Sequence, residues 1–301
     1  MINLCFLCIV NKILKQVQEN ALVSNYRFLY LSICVHPFYL WLIPQAIKIK
    51  SYFCASLITH SLKFPNFKDL ILFEDNDFIV INKPPFLASL DERGGSGETN
   101  VLRLAKQYSD DAQVCHRLDK ETSGALIIAK NPEGYRHASM QFERRKVNKT
   151  YHAVVDGHVI FDQLTVDLPI LNDGNKNVTI DRVEGKRAET IFDSLKYYKH
   201  YTLVECKPIT GRMHQIRIHL ATQRAAIVGD DMYKGKPVFL SSIKRGYKLT
   251  KGEEEQPIMK RFALHARHLV FKGLDDKDIV IDAPYPKDFA TLIKLLDKFD
   301  V

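Results

Sequence analysis

Cys115-His116-Arg117-Leu118-Asp119-Lys120-Glu121-Thr122-Ser123-Gly124 runs directly into Ala125-Leu126-Ile127-Ile128-Ala129. The first part sets a histidine, an arginine and an aspartate within four residues. The small residues Thr122-Ser123-Gly124 read as a flexible turn, and the apolar run after them reads as a buried strand. A carboxylate on a loop that enters a rigid strand is well placed for chemistry. Asp119 is therefore the first candidate for a functional group.

Working outward, Ile71-Leu72-Phe73-Glu74 and Phe78-Ile79-Val80-Ile81 flank Asp75-Asn76-Asp77 and predict a hairpin. Asn82-Lys83-Pro84-Pro85 should end its second strand, because proline cannot continue a central ladder. Gly94-Gly95-Ser96-Gly97 lacks the lysine and hydroxyl that a phosphate cradle needs and reads as a plain linker. Helices are predicted from Asn100 to Ser109, and from Glu133 to Lys146 after the Asn131-Pro132 start signal. Lys149 to Val155, Ala188 to Tyr198, Tyr201 to Lys207 and Phe262 to Phe271 read as strands. Arg212 to Thr222 and Asp288 to Phe299 read as helices, the latter amphipathic. Many strands, short turns and interspersed helices predict an α+β fold with a mixed, largely antiparallel central sheet, flanking helices and a cleft.

The chain has 301 residues and a formal charge of +8. Residues 1–66 hold six Lys and Arg against Glu19 alone, so +5 lies there and only +3 on the remainder. Bulk charge is thus a weak pointer to nucleic acid, and local clusters must carry that reading. Arg144, Arg145, Lys146 and Lys149 form one cluster. Lys244, Arg245, Lys248 and Lys251 form another, with Lys260 and Arg261 nearby.

Residues 1–66 also hold four of the six cysteines and the only tryptophan, Trp41. The apolar run Phe28–Ile43 falls short of the roughly 20 residues that a spanning helix needs, and the opening residues lack a signal-peptide layout. Residues 1–66 read as a separate extension ahead of one compact unit at 67–301. Three readings stand: a membrane-associated leader, an extra packing element, or upstream codons wrongly joined to the gene. The last is favoured, and because no methionine follows Met1 until Met140, it puts a true start nearer residue 66 at a non-Met codon. Cys5 and Cys8 have zinc-like spacing, but no second pair completes a site, so no metal is expected. His214 and His219 are five apart, not the four that place two ligands on one helical face. Cys115 reads as a packing residue.

Three segments carry the function. They are His116-Arg117-Leu118-Asp119 with Thr122-Ser123-Gly124, Asn148-Lys149-Thr150-Tyr151-His152-Ala153-Val154-Val155-Asp156-Gly157, and Thr210-Gly211-Arg212-Met213-His214-Gln215-Ile216-Arg217-Ile218-His219-Leu220. Each resembles a motif of the RluA-type RNA pseudouridine synthases, in that family's order. Weaker matches follow in Val228–Tyr233, Leu264–Ala266 and Ala283–Pro286, so the resemblance spans about residues 70–290. It implies that Asp119 is the catalytic aspartate, that Tyr151 stacks on the target base and assists proton removal, and that Arg217 pairs with the aspartate. It implies substrate contacts for Arg117, His116, Thr122, Arg212 and Lys149, with Arg117 able to fill the gap left by a flipped base. His116 has a second reading, holding the loop through hydrogen bonds. Met213 departs from the family, which usually has threonine or serine there. The resemblance further implies RNA (ribosomal or transfer) as partner, no cofactor, no membrane, no obligatory protein partner, a monomer and a cytoplasmic location. Residues 1–66 do not resemble the S4-type RNA-binding module that many relatives carry.

The chemistry fits the residue types. Pseudouridine formation breaks the bond from uracil N1 to ribose C1′, turns the base and rejoins it through C5. No redox step or net hydrolysis occurs. A carboxylate can serve as nucleophile or as base, a neighbouring guanidinium favours a carboxylate's charged form, and an aromatic face holds a loose base by about 1–3 kcal/mol of stacking. Attack on the sugar, attack on the base and removal of a C2′ proton all remain open. An RNA-binding module without catalysis is the competing class, and the intact Asp119, Tyr151 and Arg217 set argues against it. His-Arg-Leu-Asp only superficially resembles a kinase loop, where the aspartate directly follows the arginine.

Overall fold

The computed structural model describes residues 65–91, 99–174, 178–250 and 252–301. They fall within one compact unit that ends at Val301. The expectations for the N-terminal extension, the Gly94–Gly97 linker and Lys251 fall outside the described residues. The strands are β1 (Ile71–Glu74), β2 (Phe78–Lys83), β3 (Gln113–Val114), β4 (Ser123–Ala129), β5 (Asn148–Asp156), β6 (Leu164–Asp167), β7 (Ile170–Asn172), β8 (Val178–Ile180), β9 (Glu189–Tyr197), β10 (Tyr201–Pro208), β11 (Leu264–Lys272) and β12 (Asp278–Asp282). The helices are α1 (Val101–Tyr108), α2 (Pro132–Glu143), α3 (Gln215–Thr222), α4 (Leu240–Ile243) and α5 (Lys287–Phe299).

Ten strands form one sheet in the order β1-β2-β4-β11-β5-β10-β9-β6, with β12 paired to β11 and β3 to β4. Only the β4–β11 pairing is parallel, so the sheet is mixed and largely antiparallel, as the sequence predicts. β7 and β8 form a separate two-stranded sheet.

The local chemistry explains the elements. Asp75 Oδ1 accepts from the Asp77 and Phe78 amides at 2.8 and 2.6 Å, closing the β1–β2 hairpin. Asn100 and Asn131 cap α1 and α2 by accepting from Arg103 N and Gly134 N. β2 and β4 are nearly continuous apolar runs because both faces are covered. Ile79, Ile81, Leu126 and Ile128 pack with Val101 and Ala105 of α1. Phe78, Val80, Ala125, Ile127 and Ala129 pack with Ala138 of α2. A third cluster joins β5, β9 and β10 to α3 and to Phe289, Leu292 and Leu296 of α5. That i, i+3, i+7 spacing is the apolar stripe read in the sequence.

Several boundaries differ from expectation. Ser123 and Gly124 are not a flexible turn but the wholly buried start of β4. Gly124 has φ +115°, and a Cβ there would lie 2.2 Å from the Ala266 carbonyl oxygen on β11, so the parallel pairing demands glycine. α2 stops at Glu143 because Arg145 turns left-handed at φ 58°. α3 starts at Gln215 rather than Arg212, since His214 takes a left-handed conformation ahead of it. Among the described residues, no helix is long and apolar enough to cross a membrane.

Candidate active site

The loop before β4 is fixed at nearly every backbone position. Ser89 Oγ donates to Leu118 O and accepts from Leu118 N. Thr122 N donates to Asp119 O. Lys83, wholly buried, donates to Leu87 O at 2.8 Å, Lys120 O at 3.1 Å and Pro84 O at 3.2 Å. Arg261, also buried, donates to Glu121 O at 2.8 Å and Ser123 Oγ at 3.2 Å, while Asp288 of α5 receives its fork. Burial, and the Arg261 charge after it, lower the Lys83 ammonium to about 7.

Asp119 thereby projects into a cavity of about 650 Å³. Its Oδ2 lies 3.3 Å from Arg217 Nη1. The rest of the Arg217 guanidinium forks onto Asp230, Nε to Oδ2 at 2.6 Å and Nη2 to Oδ1 at 2.8 Å. The guanidinium also lies between the rings of Phe262, 4.3 Å away, and Tyr233, 5.2 Å away. The Asp230 side chain is 1% exposed against 23% for Asp119, so of the two carboxylates only Asp119 is open to a ligand. Tyr151 stands on β5 in register with Cys206 on one side and Ala266 on the other. Burial, then the Asp119 charge, push its phenol well above the ordinary range, so it is a neutral hydroxyl at physiological pH. Two carboxylates share one guanidinium and so leave one net negative charge, beside a neutral aromatic ring; that arrangement can stabilise positive charge developing on a bound ligand.

The family profile for RNA pseudouridylate synthase matches residues 77–222. Over 76% of its length the chain is 34% identical to ribosomal large subunit pseudouridine synthase C of Buchnera aphidicola, covering 71% of that protein. It is 32% identical to synthase D of Zymomonas mobilis, over 75% of this chain and 72% of that one. The chain belongs to the RNA pseudouridine synthase family. The fold agrees: human RNA pseudouridylate synthase domain containing 4 superposes with a TM-score of 0.57 at 24% identity, over 82% of this chain and 98% of that one. As a pseudouridine synthase, the protein isomerises uridine in RNA.

All eight residues singled out in the sequence, Asp119, Tyr151, Arg217, Arg117, His116, Thr122, Arg212 and Lys149, line this one cavity of the synthase. They differ in what they touch. Arg117 is exposed at the rim and Thr122 is buried in the wall. Arg212 donates from Nε to Arg187 O at 3.1 Å, across to the segment after β8. His116 accepts at Nε2 from Ile127 N at 3.0 Å, which puts its proton on Nδ1. Burial, then the Lys149 charge, lower the imidazole to about 3, so it stays neutral. The loop-holding reading of His116 thus has a concrete bond. Burial likewise pushes the Cys115 thiol up to about 12, leaving it an unreactive wall residue.

One expectation needs correction. Arg261 is not part of a surface basic track, because it is buried among the loop carbonyls. Met213, the departure noted in the sequence, sits in an apolar setting. It packs beside Ile170, Val178 and Ile218, and Asn172 Nδ2 approaches its sulfur at 3.2 Å. Sequence reading also missed Asp230, Lys83 and Ser89. Asp230 sits in the weak downstream match, and Lys83 closes β2 just after the apolar run Phe78–Ile81, where an unexplained lysine was the available signal.

Proposed function

We propose that Asp119 is the catalytic group of this synthase, that Tyr151 holds the target uracil, and that Arg217 orients the aspartate and balances its charge. The observation that carries this is the Arg217 bridge from an open carboxylate to a buried one at the floor of the cavity. The uridine enters extruded from its stack, at a cost of a few kcal/mol, and Arg117 at the rim is suited to occupy the space it leaves. The N1–C1′ bond breaks with its electron pair left on the uracil, the uracil turns against the Tyr151 ring, C5 bonds to C1′, a base in the site takes the C5 proton, and N1 is protonated, so that no atom is gained or lost overall. With its phenol kept neutral, Tyr151 acts by contact and by its hydroxyl rather than as a phenolate base. Thr122, Arg212 and His116 shape the wall, and Lys149 meets the RNA.

Ribosomal RNA is the substrate we favour, because the relatives matched at 30–34% identity include several named for the large ribosomal subunit. We further infer a cytoplasmic monomer that needs no protein partner. Tritium release from [5-³H]uridine RNA tests the assignment: wild type should release it and Asp119→Asn should not. Activity surviving in that variant overturns the assignment. Mapping pseudouridines across total RNA, with and without the gene, identifies the substrate.

A further inference from the structure

We propose that Lys149, assisted by Arg145, forms a subsite for one backbone phosphate adjoining the target uridine, on the wall of the cavity away from Asp119. The inference rests on the RNA-isomerase reading and says which part of the RNA this wall takes.

Lys149 lies on β5 two residues from Tyr151, and its ammonium lines the cavity. Among the described residues its ammonium makes one hydrogen bond, to Thr210 O at 3.4 Å. Among the described residues no carboxylate lies within ion-pair distance of it, although Glu143 lines the same wall. Burial alone depresses its proton affinity, to about 8. Asp119 makes no ion pair with it, its carboxylate being held by Arg217 at 3.3 Å. The adjacent His116 is neutral and adds no negative charge.

A largely desolvated cation costs free energy unless an anion meets it. Arg145, left-handed just after α2 and exposed, adds a second cation to the lining of the same cavity and has no acidic partner among the described residues. A uracil carbonyl is neutral and leaves the charge uncompensated. A phosphodiester supplies one full negative charge and two acceptor oxygens, matching a point-charge donor such as lysine. Because Lys149 and Tyr151 share one strand and face the same cavity, a nucleotide seated against Tyr151 brings its neighbouring linkage to Lys149.

The test uses the full chain with Asp119→Asn, so that bound RNA is not converted, and compares Lys149 with Lys149→Met and Lys149→Arg in that background. The probe is a synthetic RNA hairpin around a uridine that the wild-type protein converts in the tritium assay. Lack of conversion counts against the functional reading, whereas the outcomes below bear on the subsite alone. Lys149→Met should weaken binding about tenfold and reduce the slope of log Kd against log salt by about 0.7–0.9. Lys149→Arg should retain the slope. A single neutral methylphosphonate, placed in turn at each linkage flanking the target, should at one position weaken the Lys149 protein but weaken Lys149→Met no further. Equal salt slopes, or methylphosphonate effects equal in both proteins at every position, overturn the subsite. A misfolded variant would lose binding without that position-specific cancellation, which also counts against it.

Discussion

The Arg217 guanidinium meets the Asp119 carboxylate at 3.3 Å although 98 residues separate them in the chain. It does so with only one of its nitrogens, because the other two are committed to Asp230. Asp230 is therefore the group that aims Arg217, and through it the open aspartate.

Asp230→Asn keeps the volume and removes the charge. It should lower kcat at least about tenfold while changing KM little, and cost about 3 kcal/mol, since a buried arginine is left short of its partner. Tritium-release kinetics and denaturant unfolding measure the two effects. An unchanged kcat would show that Arg217 needs no second carboxylate.

Arg261 anchors the Asp119 loop to α5, so Arg261→Lys, which keeps a charge but not the fork, should reduce kcat about tenfold with RNA affinity intact. Binding and turnover measured on the same RNA separate this from a surface role. Weaker binding with normal kcat would restore Arg261 to the basic track.

Gly124→Ala should destabilise the protein by at least about 3 kcal/mol, because left-handed strain alone costs of order 1–3 kcal/mol and the new methyl meets the Ala266 backbone at 2.2 Å. Thermal unfolding decides this. A variant as stable as wild type would mean that β4 and β11 separate easily.

His116 gives a pH prediction. Its folded pKa, lowered by burial and then by Lys149 to about 3, lies below the ordinary 6.5. Between these values the unfolded chain binds more protons, so stability falls as pH drops from 6.5 toward 3. His152 and His265, lowered to about 4, act in the same direction, so the informative quantity is a difference. Wild type should lose more stability than His116→Gln between pH 6.5 and 4.5 in calorimetry. Parallel curves would refute a buried, neutral His116.

Much of the fold was legible where patterns are local. The β1–β2 hairpin follows from an aspartate turn between apolar runs, α2 from Asn131-Pro132, and α5 from its apolar stripe. β3, β6, β7, β8 and β12 were not read: they run for two to five residues, too short for a two-residue alternation to stand out without the paired apolar runs that mark β1 and β2. The ends of α2 and α3 were misjudged because left-handed Arg145 and His214 carry no glycine to announce them. In the site, Asp119, Tyr151 and Arg217 were legible through their motifs. The roles of Asp230, Lys83 and Arg261 were not, because a charged residue looks the same in sequence whether it faces water or is buried among carbonyls.

By itself the sequence determined which side chains are the candidates for the chemistry, since motif spacing and residue type are properties of a short segment. Only the tertiary structure decided which charges are buried and with whom they pair. That depends on the sheet bringing β4, β5 and β11 side by side and α3 against them, and so on contacts between residues about a hundred positions apart.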